Sequence, residues 1–276
     1  SFTRIGLTPN TGQKNMFLFF MLPQREKLGV RKNEDLGELP SEENIKLSVD
    51  ELSFTRKELK KEWHLSYDGT LVDPYQEHNA PVPVQFDLDF VGLHPLFNYR
   101  DCPISTLQEK LSKNVASEHL EQYGKVTGTL TIDDKHYDIN ALGERDHSWG
   151  VRNWTEPKRW VWLTCQFNND FAFNITKLTV AEGDIDAGFI HVNKRNLPIK
   201  QVSIDTAYSK HNEPILFTLS MTTTTDEIFE VQASVKDKIH VPFQNGETKS
   251  MMYENLAKYT YNDRVGYGIA EYLIKQ

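Results

Sequence analysis

Val84, Phe86, Leu88 and Phe90 alternate with Gln85, Asp87, Asp89 and Val91, and a period of two is the pattern of a strand with one face buried. Ile45, Leu47 and Val49 repeat it against Lys46, Ser48 and Asp50, and Val126, Gly128, Leu130 and Ile132 share a face before Asp133-Asp134-Lys135 turns the chain into Tyr137–Leu142. Arg159–Phe167 and Phe171–Val180 flank the turn Asn168-Asn169-Asp170. Further strands are predicted at Phe189–Val192, Ile199–Asp205, Ile215–Met221, Ile228–Val235 and Ile239–Phe243, closing with Tyr259–Leu273. The apolar run Asn15–Leu22, ended by Pro23, reads as a strand buried on both faces. Asp68-Gly69 after Glu62–Tyr67 reads as a hairpin turn. Ser105–Leu120 predicts the best helix, with Leu107, Leu111 and Val115 at four-residue spacing and Ser105 as a cap. Short strands at about ten-residue spacing describe a sandwich or barrel, because each apolar face needs an opposing wall. The expected class is all-β with one or two short helices.

The chain has 276 residues, enough for one large or two small domains. No Pro/Gly/Ser linker marks a boundary, so the junction is placed at the mid-chain cluster described below, giving 1–142 and 143–276. A net charge of −8 and a pI near 5.6, with no basic patch, argue against a nucleic-acid partner. No apolar run reaches the roughly 20 residues of a membrane helix. Cys102 and Cys165 lack C-x-x-C spacing, so neither a disulfide framework nor a zinc site is expected. A reducing, cytoplasmic compartment is slightly favoured, and the opening at Ser1 fits a processed or trimmed start. The nine histidines show no H-x-H or H-E-x-x-H spacing, and no G-x-G-x-x-G, Walker loop or G-x-S-x-G elbow is present. No metal, nucleotide cofactor or serine nucleophile is expected.

Chemistry concentrates in Gly143–Trp154, G-E-R-D-H-S-W-G-V-R-N-W. It holds Glu144, Arg145, Asp146, His147, Trp149, Arg152 and Trp154, and Trp160 and Trp162 follow at once. Ionisable groups beside indoles make a partly desolvated cluster in which pKa values move. A proton donor in a water-poor pocket, next to aromatic faces that stabilise a cation, is what alkene hydration or cyclisation requires. Asp146 fits as the acid, with His147 tuning or reloading it, and Trp149, Trp154, Trp160 and Trp162 fit as the aromatic wall. Equally, Asp146 could pair with Arg145 or Arg152 and clamp two sheets. For Arg145, Arg152 and Glu144 structural ion pairing is the favoured role. Trp160 and Trp162 share a strand face with Thr164 and Gln166, which suits a ligand cavity or a packing face between halves. Glu271, among Gly266, Gly268 and Ala270, could reach a pocket, although small residues also suit a tight barrel closure.

These residues carry a resemblance. The central motif, together with Glu121-Gln122, Gly124, Val126–Thr129, the terminal Gly266–Leu273 and the opening strand, resembles the AttH-like, carotenoid 1,2-hydratase-like group of lipocalin-related proteins, in particular the two-part branch with G-x-R-D-H-S-W-G-x-R-x-W. The resemblance implies two consecutive lipocalin-like β-barrel halves enclosing an apolar cavity. It further implies hydration, cyclisation or isomerisation of a terpenoid or polyketide-like molecule without a metal or nucleotide, and it transfers only Asp146 as a catalytic acid. Two functions follow as expectations: an acid-catalysing enzyme acting on an apolar small molecule, or a non-catalytic carrier of one.

Overall fold

In the computed structural model, residues 1–23, 26–39, 45–76, 80–103, 118–151, 155, 157–181 and 183–276 are described. The chain is all-β, and the only helical pieces among these residues are single 3-10 turns. Of the expected helix Ser105–Leu120, residues 105–117 lie outside them, and Glu118–Leu120 are strand instead. No helix among the described residues is long and apolar enough to cross a membrane. The chain divides into two compact units, one made of residues 1–92 and 124–143, the other of 93–123 and 144–276.

The first unit opens with an antiparallel meander of β1 (Phe2–Thr8), β2 (Gln13–Met21) and β3 (Lys27–Asp35). A second sheet follows through β4 (Lys46–Val49), β5 (Leu52–Glu58), β6 (Glu62–Leu71) and β7 (Val82–Gly92), and continues into the long hairpin of β9 (Glu118–Ile132) and β10 (Lys135–Trp149). Gly29 and Val72 exchange backbone hydrogen bonds of 2.8 and 3.1 Å, joining the two sheets into a half-barrel. Met16, Leu18 and Phe20 fill it against Val49, Leu52, Tyr67, Leu71, Val84 and Phe86. Asp68-Gly69 does not turn the chain: β6 runs on to Leu71, with Asp68 opposite Gln85 and Gly69 opposite Val84. The glycine is needed instead because the Tyr67 ring folds over it, and a Cβ there would lie 2.8 Å from the phenol oxygen.

The second unit is a closed antiparallel barrel of eight strands: β11 (Arg159–Gln166), β12 (Phe171–Val180), β13 (Gly183–Val192), β14 (Arg195–Tyr208), β15 (Pro214–Thr223), β16 (Ile228–Asn245), β17 (Thr248–Tyr261) and β18 (Arg264–Lys275). The expected strands Ile228–Val235 and Ile239–Phe243 are one strand bent by a bulge between Val235 and Asp237. Tyr259–Leu273 is two strands, because Asn262 takes a left-handed turn with φ 52°. β18 closes onto β11, and Gly268 permits the closure, since a Cβ there would meet the Thr164 carbonyl oxygen at 1.9 Å. Val161, Leu163, Phe173, Ile175, Phe217, Leu219, Tyr259 and Tyr272 pack the interior, as an eight-stranded barrel permits. Alternation therefore turns Trp160, Trp162, Thr164, Asn174, Thr176 and Glu271 to the outside. There β8 (Phe97–Asn98) pairs with β9, and Phe97, Cys102 and Tyr123 pack on Ala172, Ala187 and Phe189. A closed barrel and a half-barrel together give the two lipocalin-like halves that the resemblance implies.

Candidate acid–base site

The long hairpin carries the central motif as strand, not loop: Gly143–Trp149 is the end of β10. Strand alternation puts Glu144 and Asp146 on one face and Arg145, His147 and Trp149 on the other. On the first face they meet His119 and Glu121, two apart on β9. His119 Nε2 lies 2.7 Å from Glu121 Oε1 and 3.2 Å from Asp146 Oδ1. Burial alone would lower the His119 pKa, but the Asp146 and Glu121 carboxylates raise it to about 10, so one Nε2–H is shared between two acids. The Tyr99 ring stacks on this imidazole at 4.3 Å. Three such donors lie within 4.8 Å of one another, a spacing a divalent ion can use, and with the imidazole protonated they form an ion triad.

Glu144 is held differently. Asn174 Nδ2 donates to its Oε1 at 2.6 Å, and the Thr164 hydroxyl donates to its Oε2. The amide orientation of Asn174 is fixed by its other side, because Oδ1 accepts from the Trp162 indole N–H at 3.1 Å and from the Tyr99 hydroxyl. An indole N–H can only donate, so Nδ2 must face Glu144. Tyr123, whose hydroxyl donates to the Phe173 carbonyl, lies 2.6 Å from Thr164 Oγ1 and completes the floor. Burial raises the Glu144 pKa to about 7 against these two hydrogen bonds, with Asp146 repulsion adding to the rise. Glu121, 0 % exposed, is pushed well above the ordinary carboxyl range by burial and by the Glu144 and Asp146 charges, which His119 opposes. Its Oε2 has no hydrogen-bond partner among the described residues.

The residues singled out from sequence are thus dispersed. Asp146, its side chain 45 % exposed, sits against His119. His147 lies on the opposite face, its ring 5.0 Å from Trp149, and burial lowers its pKa, Arg145 adding to the fall. Arg145 is half-buried on that same strand face. Trp160 and Trp162 are buried on the barrel's outer face. Glu271 stands opposite Trp162 on one side and Glu254 on the other. Burial raises the Glu254 pKa, helped by the charge of Glu271 and a hydrogen bond with it. Arg152 and Trp154 lie outside the described residues. His119, Tyr99, Tyr123 and Asn174 were not singled out, and Glu121 served only the resemblance. One signal was available: counting outward from the Ile132 and Lys135 ends of the hairpin, Glu121 and Asp146 stand equally far along their strands, as do Tyr123 and Glu144.

The model of a domain of unknown function, DUF7064, matches residues 1–276. The chain belongs to the DUF7064 family. No curated protein matches it. Among solved structures, this DUF7064 chain is similar to kievitone hydratase from Nectria haematococca, with a TM-score of 0.61 and 12% identity over 96% of this chain and 80% of that one. It is similar also to an AttH-like protein of Nitrosomonas europaea, with a TM-score of 0.64 and 12% identity over 95% and 80%. At such identity the likeness establishes the AttH-like, lipocalin-related fold of the DUF7064 chain.

Proposed function

We propose that this chain is an enzyme that adds water to, or removes it from, an apolar unsaturated small molecule, with Glu144 as the proton donor. The observation that carries this reading is Glu144 itself, a carboxyl gripped at both oxygens by neutral donors and raised to about 7 by its burial. Such a group holds and releases a proton near neutrality, where general acid and base catalysis are both effective. That one structural neighbour is a hydratase supports the choice of hydration among acid-started reactions.

In this reading the Glu144 carboxyl transfers its proton to one alkene carbon, and the neighbouring carbon becomes cationic. The Trp162 face, held by its hydrogen bond to Asn174, stabilises that cation. A water oxygen then bonds to the cation and returns a proton to the Glu144 carboxylate, so the balance is addition of one water. Burial keeps the proton on Glu144 near neutrality, Asp146 adds to this by repulsion, and His119 holds Asp146 in place. Cyclisation or isomerisation would begin with the same protonation.

The test is incubation with a panel of terpenoid and polyketide-like alkenes in ¹⁸O-labelled water, with mass spectrometry of the products. Products gaining one labelled water, lost with Glu144→Gln while ligand binding persists, would support the enzyme. Ligands that bind and return unchanged, equally in both proteins, would favour the carrier.

A further inference from the structure

The stretch that brings Tyr99 onto the barrel is fastened by two histidines that the acid–base site does not use. His94 and His191 stack face to face, ring centroids 3.5 Å apart at 9°, and are 6 % and 2 % exposed. Their hydrogen bonds fix both tautomers. His94 Nε2 is 2.7 Å from the Asn169 carbonyl oxygen, which can only accept, so Nε2 carries the proton and Nδ1 is bare. That Nδ1 is buried without a partner among the described residues. Asn196 Nδ2 donates to the Pro95 carbonyl at 2.8 Å, which leaves its Oδ1 to accept from His191 Nδ1 at 2.7 Å. The His191 Nδ1–H and the His94 Nε2–H are therefore both committed donors, which leaves His94 Nδ1 as the orphan.

The same few residues bind the backbone of the stretch. Asn196 holds the Pro95 carbonyl and Gln122 Nε2 donates to the His94 carbonyl at 3.1 Å. Beyond them, Cys102 Sγ meets the Gly188 backbone and the Tyr99 hydroxyl reaches Asn174. Around His94 the neighbours are the His191 ring from β13, the edge of the Tyr123 ring at 6.0 Å from β9, and, in the turn between β11 and β12, the Asn169 carbonyl and the Asp170 charge. Only Asp170 and the carbonyl favour a cation there. Burial, the largest influence, and His191 both disfavour it.

We propose that the His94–His191 stack is an acid-sensitive latch: a proton added to His94 Nδ1 sets a buried cation against the His191 ring and releases residues 93–103, with Tyr99, from the barrel. The direction follows from linkage. His94 is held below the ordinary histidine value of 6.5, so the released stretch binds the proton more tightly than the docked one. Docking is complete above about pH 6.5 and weakens as the pH falls below it. The latch acts on the position of Tyr99, and it stands or falls separately from the role of Glu144.

Hydrogen–deuterium exchange of the whole chain at pH 7.5 and 5.0, scaled for the intrinsic exchange rate, tests this. At pH 5.0 residues 93–103 are expected to exchange about tenfold or more faster, with the barrel strands β12–β17 unchanged. His94→Phe, which keeps a ring in the stack but takes no proton there, should remove most of that pH response. Equal protection of 93–103 at both pH values in the unaltered protein would overturn the latch. So would a loss spread evenly over the barrel, or an undiminished response in the folded His94→Phe variant.

Discussion

Glu144 and Asp146 are two residues apart on one strand face, yet their environments separate them. Glu144 is half-buried and hydrogen-bonded by neutral groups, whereas Asp146 faces solvent and a cationic imidazole. Their substitutions should therefore differ. A carboxyl whose folded pKa is raised from 4.5 to about 7 binds more protons folded than unfolded in that interval, so it lowers stability as the pH climbs from 4.5 to 7. Relative to Glu144→Gln, the unaltered protein should lose up to about 3 kcal/mol across this window, measurable by urea denaturation at several pH values. Asp146→Asn acts on His119. With its pKa near 10, His119 stabilises the fold fully below its ordinary value of 6.5, and that contribution fades as the pH rises through 10. Removing the Asp146 charge should lower the His119 midpoint by about one unit or more, read from the imidazole NMR signals. An unchanged midpoint would mean that Glu121 alone holds the proton. Turnover on an identified substrate should fall about 10² to 10⁴-fold in Glu144→Gln and less in Asp146→Asn. The motif and the strand after it made Asp146 and Trp162 legible as site residues, whereas Glu144 reads there only as an ion-pairing residue. Neither stretch could assign them partners, because His119 and Glu121 come from another strand and only hairpin register brings them alongside.

Strands were legible wherever alternation is clean, as in Val84–Phe90 or Phe171–Val180. Their ends were not, because residues that turn one chain pack another. Asp68-Gly69 has the composition of a tight turn but serves the Tyr67 ring inside β6. Asn262-Asp263 is a real turn hidden in what reads as one strand. The inward or outward sense of β11 was equally undetermined: both of its faces are buried, and only closure of the barrel decides that Val161, Leu163 and Cys165 point in and Trp160, Trp162 and Thr164 point out. The closure depends on Gly268, which lies against the Thr164 carbonyl. Gly268→Ala should force β18 from β11 at the residue that holds Glu144, costing about 2 to 4 kcal/mol in urea denaturation. Ala at Gly246, in a turn with nothing within 4 Å of the added Cβ, should cost only about 1 kcal/mol for its positive φ. Equal losses at the two sites would remove the steric account of the seam.

At the scale of the molecule, the two units interleave along the chain: residues 93–123 belong with 144–276, although 124–143 between them do not. The junction expected from sequence, at 142/143, sits next to one of these breaks and leaves 93–123 with the other half. That division separates His119, Glu121, Tyr99 and Tyr123 from Glu144, Thr164 and Asn174. It also strips Phe97 and Tyr123 from Ala172, Ala187 and Phe189 on the barrel's outer face. A fragment of residues 144–276 would therefore keep a packed barrel interior but expose an apolar strip and unpaired polar groups outside it. A fragment of residues 93–276 retains that cover; of its extra stretch 124–143, the β10 part is largely exposed, whereas the β9 part loses β7 and uncovers Leu130 and Ile132. The longer fragment is expected to keep the covered barrel folded. The shorter one should melt about 10 °C lower. If the fragments melt together, the covering stretch adds nothing to the barrel, and the site would have to be held by the hairpin alone.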